Sequence, residues 1–157
     1  MKVQSTIPNH VEVGQRVKLH VGSRGECLIS LKVMNQTNKA EEEVEFMIDT
    51  GFNGFIQLNQ TTVERLELEI VDKSKSKDFM GDEREIGLTK TAIKLLDTII
   101  SGFPIQITPR GQCLIGTGFL KMAGLAIVID IASSPPFLGF TGNKKVRKHL
   151  RKAFNYS

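Results

Sequence analysis

Apolar and polar residues alternate with a period of two along much of this chain, and that pattern restricts it to a fold built from half-buried strands. Val17, Leu19 and Val21 alternate with Lys18 and His20, and Cys27, Ile29, Leu31 and Val33 alternate with Leu28, Ser30 and Lys32. Between the two runs, Gly22-Ser23-Arg24-Gly25 reads as a turn. The polar stretch Asn35 to Glu43 reads as a loop. Val44, Phe46 and Ile48 then alternate with Glu45, Met47 and Asp49, so a strand ends on Asp49 and is followed at once by Thr50-Gly51. Phe55 to Leu58, Pro104 to Ile107, Cys113 to Ile115 and Leu125 to Ile131 read as further strands.

Helix signals are few. Thr61-Thr62-Val63-Glu64 has capping-box spacing, and Thr117 to Ala123 reads as a short helix stopped at Gly124. Near the end, Val146, Leu150 and Ala153/Phe154 recur at helical spacing among basic residues, which predicts a short basic amphipathic helix. The lysine and serine rich stretch Asp72 to Asp78 is expected to be solvated. Phe79-Met80-Gly81-Asp82 separates it from the alternating run Ile86, Leu88, Thr91, Ile93, Leu95, and a hairpin with its tip near Gly81-Asp82 is the economical reading. Ser133 to Pro136 breaks regular structure, and Gly139 to Gly142 is expected to continue the break. The fold class is therefore all-β with one or two short helices. Its expected parts are an N-terminal extension or first strand over 1–25, a central domain over 26–132, and a Pro/Gly linker with a basic helix over 133–157.

Length and charge narrow the function. A chain of 157 residues can bury roughly 70% of the surface it exposes when unfolded, so it needs neither a disulfide framework nor a structural metal. It is too short for two full lobes. The formal charge is +4, but six of the 21 basic residues, Lys144, Lys145, Arg147, Lys148, Arg151 and Lys152, lie in the tail; without them 15 basic residues face 17 acidic ones. The basic balance thus belongs to the tail and gives the body no reason to seek an anionic partner. Solvated packing of Val146, Leu150 and Phe154 on the body is favoured over a nucleic-acid contact there. Cys27 and Cys113 read as packing residues, not a redox pair, and fit a reducing compartment. No leader-like or membrane-spanning apolar run is present, so a cytoplasmic protein without a membrane partner is expected.

Histidines His10, His20 and His149 have no ligand spacing, and Gly116-Thr117-Gly118 is followed by Lys121 where a dinucleotide fingerprint needs glycine. Neither a metal nor a cofactor is expected. The carboxylates remain. Asp49-Thr50-Gly51 places an acid at a strand end beside small residues that let the backbone turn; taken alone it is better read as an Asp-initiated turn whose carboxylate caps backbone amides. Ile127-Val128-Ile129-Asp130 is a second strand-end acid, but Ile131-Ala132 follows it, and a locally paired acid is the better reading.

The order of the triplet, a glycine-tipped hairpin some thirty residues later, and Leu114-Ile115-Gly116 at 65 residues from Gly51 resembles the retropepsin-like aspartic proteases, above all the small prokaryotic members, in the run Asp49 to Leu58. The resemblance covers about Cys27 to Ile131. It implies an acid-protease fold with a closed, barrel-like sheet and a flap hairpin. It also implies an aspartic endopeptidase that works as a homodimer on extended peptide substrates, with Asp49 catalytic and Thr50 and Gly51 supporting the loop. Thr50 would bond across the dimer beneath the aspartates. Phe79, Met80, Gly81 and Asp82 would form the flap, and Leu114, Ile115 and Gly116 the hydrophobic-glycine segment. Gly118 departs from the family, which often has Asp or Asn there to anchor the helix. The alternatives are a catalytically inactive dimeric clamp for peptides, or a nucleic-acid contact through the basic tail.

Overall fold

The computed structural model describes residues 15–77, 80–95 and 98–154. In chain order the elements are β1 (Gln15–Val21), β2 (Cys27–Asn35), β3 (Glu41–Asp49), β4 (Ile56–Asn59), α1 (Gln60–Arg65), β5 (Ile70–Lys77), β6 (Glu83–Thr89), β7 (Thr91–Leu95), β8 (Thr98–Ser101), β9 (Pro104–Thr108), β10 (Cys113–Gly116), α2 (Thr117–Met122), β11 (Ala126–Asp130), β12 (Phe137–Thr141) and α3 (Lys144–Ala153). The strands join in the order β11-β12-β1-β2-β3-β10-β4-β9-β6-β5, with β7 and β8 branching from β2. Most neighbours are antiparallel; β3 with β10 and β4 with β9 are parallel.

Alternation does what the sequence pattern requires. Leu19, Ile29, Leu31, Val33, Val44, Phe46, Ile56, Leu58, Ile105 and Ile115 all point into one core, each less than a tenth exposed. Phe103 and Phe119 meet edge to face within it, with ring centroids 5.4 Å apart. Fully burying a side chain of this size contributes roughly 1.5–3 kcal/mol, so a contiguous set of them holds the fold without a cross-link. The two cysteines are indeed unbridged: Cys113 is buried and Cys27 partly so.

Several expectations need correction. Among the described residues the path of strands is open, not a closed barrel: β11 pairs only with β12, and β5 only with β6, so the two ends do not meet. The β5 edge is the lysine and serine stretch, exposed as expected but a strand; Lys73, Lys75 and Lys77 blunt an edge that would otherwise invite another chain. The loop over 35–43 shrinks to a turn, because Glu41, Glu42 and Glu43 extend β3 by pairing with Met34, Val33 and Lys32 of β2. Lys94 and Lys32 both reach Glu41, and Arg65 reaches Glu42. Asn35 fixes that turn: its amide donates to the carbonyls of Leu66 and Glu67 and its Oδ1 accepts from the Thr37 amide. The cap of α1 is Asn59, whose Oδ1 accepts from the Thr62 amide at 2.9 Å, so the helix begins earlier than Thr61 implied. The expected break at Gly139 to Gly142 is largely strand β12, because Leu138 and Phe140 are fully buried and β12 bonds both β1 and β11. In the tail, α3 forms as expected, but Phe154 does not pack on the body; it is 79% exposed, with Val146 and Leu150 only half covered. No helix among the described residues is long and apolar enough to cross a membrane.

Candidate active site

Asp49 is the last residue of β3, and its position follows from the register. Phe46 and Ile48 pair with Cys113 and Ile115, while Met47 and Asp49 pair with Leu114 and Gly116. Side chains of paired residues share a face, so Asp49, Met47 and Leu114 stand together on the side opposite the core. Leu114 in turn pairs with Gln57 of β4, Gln57 with Gln106 of β9, and Gln106 with Ile86 of β6. One continuous face therefore runs from Asp49 to the hairpin formed by β5 and β6. Its apolar members Met47, Leu114 and Ile86 are half-buried, whereas the residues behind them close the core.

The loop after Asp49 is clamped by backbone. The Gly51 amide donates to Asp49 Oδ1 at 2.9 Å, and the Phe52 amide donates to the Asp49 carbonyl at 3.1 Å. Amides at the start of α2 then hold the next residues: Gly116 donates to Phe55, Thr117 to Phe52 and Gly118 to Gly54, all at 2.9–3.0 Å. Such contact leaves no room for side chains. A Cβ on Gly116 would lie 2.2 Å from the Gly54 carbonyl oxygen, and one on Gly118 would lie 2.6 Å from that of Asn53. Gly118 thus has a physical reason: without a Cβ it comes close enough for its backbone amide to anchor the loop at the Gly54 carbonyl. The backbone turns tightly at Thr50-Gly51 without a left-handed φ at Gly51, where a Cβ would crowd Asp49 Oδ1 at 3.2 Å.

Among the described residues, Asp49 Oδ2 has no hydrogen-bond partner, and Thr50 and Gly51 are exposed. An amide-capping role would therefore engage only one of the two oxygens. The hairpin tip behaves as a tip: Gly81 has a φ of +86°, and Met80 is 73% exposed. Asp82 is exposed beside it, and Phe79 lies outside the described residues. Leu114, Ile115 and Gly116 occur as β10, with Ile115 in the core, Leu114 on the Asp49 face and Gly116 under the loop.

Asp130 is a local structural acid. Its Oδ1 accepts from the Ser133 amide at 3.0 Å and its Oδ2 from the Ser133 hydroxyl at 2.7 Å, and these bonds, the hydroxyl's first, hold its carboxyl below the ordinary range. His20 lies 4.0 Å from Glu45 on the exposed face of the sheet. No group of three His, Cys, Asp or Glu among the described residues is arranged to hold a metal ion.

Two residues of the Asp49 face had no signal in the sequence. Gln57 is only 4% exposed, donates to the Gln112 carbonyl at 2.9 Å and accepts from Arg84 Nη1 at 2.8 Å. Arg84 lies two residues before Ile86 and so points to the same side of the hairpin.

No family model and no curated protein matches the sequence. Solved structures do. A retropepsin-like aspartic protease from Rickettsia conorii superposes with a TM-score of 0.51 at 13% identity, covering 82% of this chain and 91% of that one. EIAV protease in complex with the inhibitor HBY-793 matches 60% of this chain and 86% of its own at 18% identity and a TM-score of 0.42. The retroviral protease-like domain of Ddi1 from Leishmania major matches at 16% identity and a TM-score of 0.41, covering 62% of this chain and 78% of that one. The likeness to the Rickettsia structure is one of fold: this chain has the retropepsin-like architecture.

Proposed function

We propose that the chain is an aspartic endopeptidase that works as a homodimer, with Asp49 of each copy meeting on a two-fold axis. The observation that carries the reading is the clamped loop: Asp49 is held at a strand end by backbone bonds alone, with Oδ2 unengaged and exposed Thr50-Gly51 beside it. One chain contains one Asp-Thr-Gly, so the pair of acids that peptide hydrolysis needs comes from two copies through an isologous interface. Two such carboxylates share one proton. One accepts a proton from the attacking water while the other donates to the peptide carbonyl oxygen, and the roles reverse as the amine leaves. The half-buried Met47, Leu114 and Ile86 supply an apolar floor, and the β5–β6 hairpin covers an extended peptide and excludes water.

The experiment is peptide cleavage in mildly acid buffer together with sedimentation of the same sample. Wild type is expected to cleave and to sediment as a dimer at assay concentration. Asp49→Asn is expected to remain folded and dimeric and to lose turnover. Unchanged turnover in that variant, or a cleaving monomer, would sink the reading.

A further inference from the structure

Helix α3 carries a cationic face that the described residues do not neutralise. We propose that this face and Phe154 form a docking site for single-stranded nucleic acid, with the helix cations on the phosphate backbone and the phenyl ring stacked on a base. The site is independent of Asp49 and of any reaction there. Lys144, Lys145, Lys148, Arg151 and Lys152 are all exposed, whereas Val146, Arg147 and Leu150 are partly covered. All 17 acidic residues of the chain lie before Asn143, yet among the described residues none of these cations makes an ion pair.

Lys144, Lys148 and Arg151 recur at i, i+4 and i+7, and Lys145, Lys148 and Lys152 at i, i+3 and i+7, so the five charges share one side of the helix. Like charges at these spacings repel, and Lys144 and Lys145 stand at the positive end of the helix dipole with no acid in the first turn. Charge placed against stability in this way is relieved by an external anion. The face is also held in place. Asn143 Oδ1 accepts from the amides of Lys145 and Val146 at 2.9 and 3.3 Å, and the Asn143 amide donates to Thr141 Oγ1 at 3.2 Å, which ties α3 to the end of β12. Two observations favour nucleic acid over an anionic membrane. A helix lying in a bilayer surface buries its apolar stripe in lipid, but Val146 and Leu150 are already partly covered and α3 has only 10 residues, about 15 Å of helix. The free apolar group is instead a single ring: Phe154 is 79% exposed, two residues after Lys152 and three after Arg151. An aromatic face beside phosphate-binding cations is what an unpaired base stacks on.

The test is fluorescence anisotropy of a labelled single strand of about 20 nucleotides, as RNA and as DNA, against the full chain, with salt raised from about 50 to about 200 mM. Binding is expected, with affinity falling about 10²-fold over that range, as five phosphate contacts on a single strand require. The triple variant Lys144→Gln, Lys148→Gln, Arg151→Gln is expected to weaken binding at least about tenfold and to flatten the salt slope by about 2. Phe154→Ala is expected to weaken it roughly fivefold or more with the slope unchanged. A duplex of the same sequence should be indifferent to Phe154→Ala, and far-UV circular dichroism with thermal melts confirms that each variant folds. Absence of salt-dependent binding at about 50 mM, equal binding of polyglutamate, or a single-strand affinity unmoved by either variant would overturn the proposal. Binding confined to phosphatidylserine vesicles would overturn it in favour of a membrane surface.

Discussion

Asp49 and Asp130 each close an apolar strand, and the chain uses them in opposite ways. Asp130 commits both oxygens to Ser133, three residues on, and becomes the pin of a tight turn. Asp49 accepts one amide, from Gly51, through a single oxygen. The difference lies in what holds the following backbone. After Asp130 the chain folds back through the amide and hydroxyl of Ser133, so the carboxylate does the holding. After Asp49 the loop is held from the side by the amides of Gly116, Thr117 and Gly118, which relieves the carboxylate of that duty. An acid released from structural work is one that can do chemistry.

The most direct way to break this comparison is to neutralise each acid in turn. On the proposed mechanism Asp49→Asn removes the general acid and base and is expected to lower kcat by at least about 10³-fold, within the range such groups contribute. Asp130→Asn leaves the Asp49 face untouched and is expected to change kcat by less than about threefold. Peptide hydrolysis under identical acid conditions checks both, with thermal melts to confirm folding. Comparable losses from a well-folded Asp130→Asn would erase the distinction.

The second experiment attacks the clamp. A methyl group on Gly116 must displace the Gly54 and Phe52 carbonyl oxygens, which lie 2.2 and 2.6 Å from its position. Overpacking of this kind costs about 1–3 kcal/mol. For a chain of this size that lowers Tm by roughly 2–12 °C, and turnover should fall further than stability because the displaced loop carries Asp49. A Gly116→Ala variant with wild-type Tm and wild-type turnover would show that the amides of 116–118 do not support the loop.

How much of this was legible depends on the range of the interactions involved. Strand β3 and its terminal Asp49 could be read directly, because alternation of Val44, Phe46 and Ile48 against Glu45 and Met47 is a local signal that burial enforces. The hairpin was legible for a similar reason, with Gly81 at its tip. Strand β12 was hidden behind Gly139 and Gly142; only its pairing with β1 and β11 shows why Leu138 and Phe140 are buried. Asn59 is masked as a cap because Thr61, with Glu64 three residues on, offers the fuller capping-box signal, and the choice is made by where β4 ends. Arg84 and Gln57 were beyond reach, since their shared face depends on the registers of β6 with β9 and β4 with β9. For the same reason Gly118 looked like a defect in the sequence and becomes a requirement in the structure, where the Asn53 carbonyl occupies the space a side chain would need.

The smallest effect sharpens the Asp130 side of the comparison. Ser133 holds the folded carboxyl of Asp130 below its ordinary range, so the unfolded chain binds that proton more readily than the folded one. The stabilisation is therefore fully present above the unfolded value, near 4, and drains away as pH falls through the lower folded value. Ser133→Ala removes the hydroxyl bond and leaves the backbone amide of residue 133 in place. Tm at neutral pH is expected to drop slightly, and the decline of Tm between about pH 5 and pH 2 to become shallower than in wild type. Asp130 is only partly buried, so the effect should be small and is best read as a difference in slope between paired melts. An unchanged slope would mean that the hydroxyl contributes nothing to Asp130 and that the backbone alone makes it a structural acid, leaving the two strand ends more alike than their bonding implies.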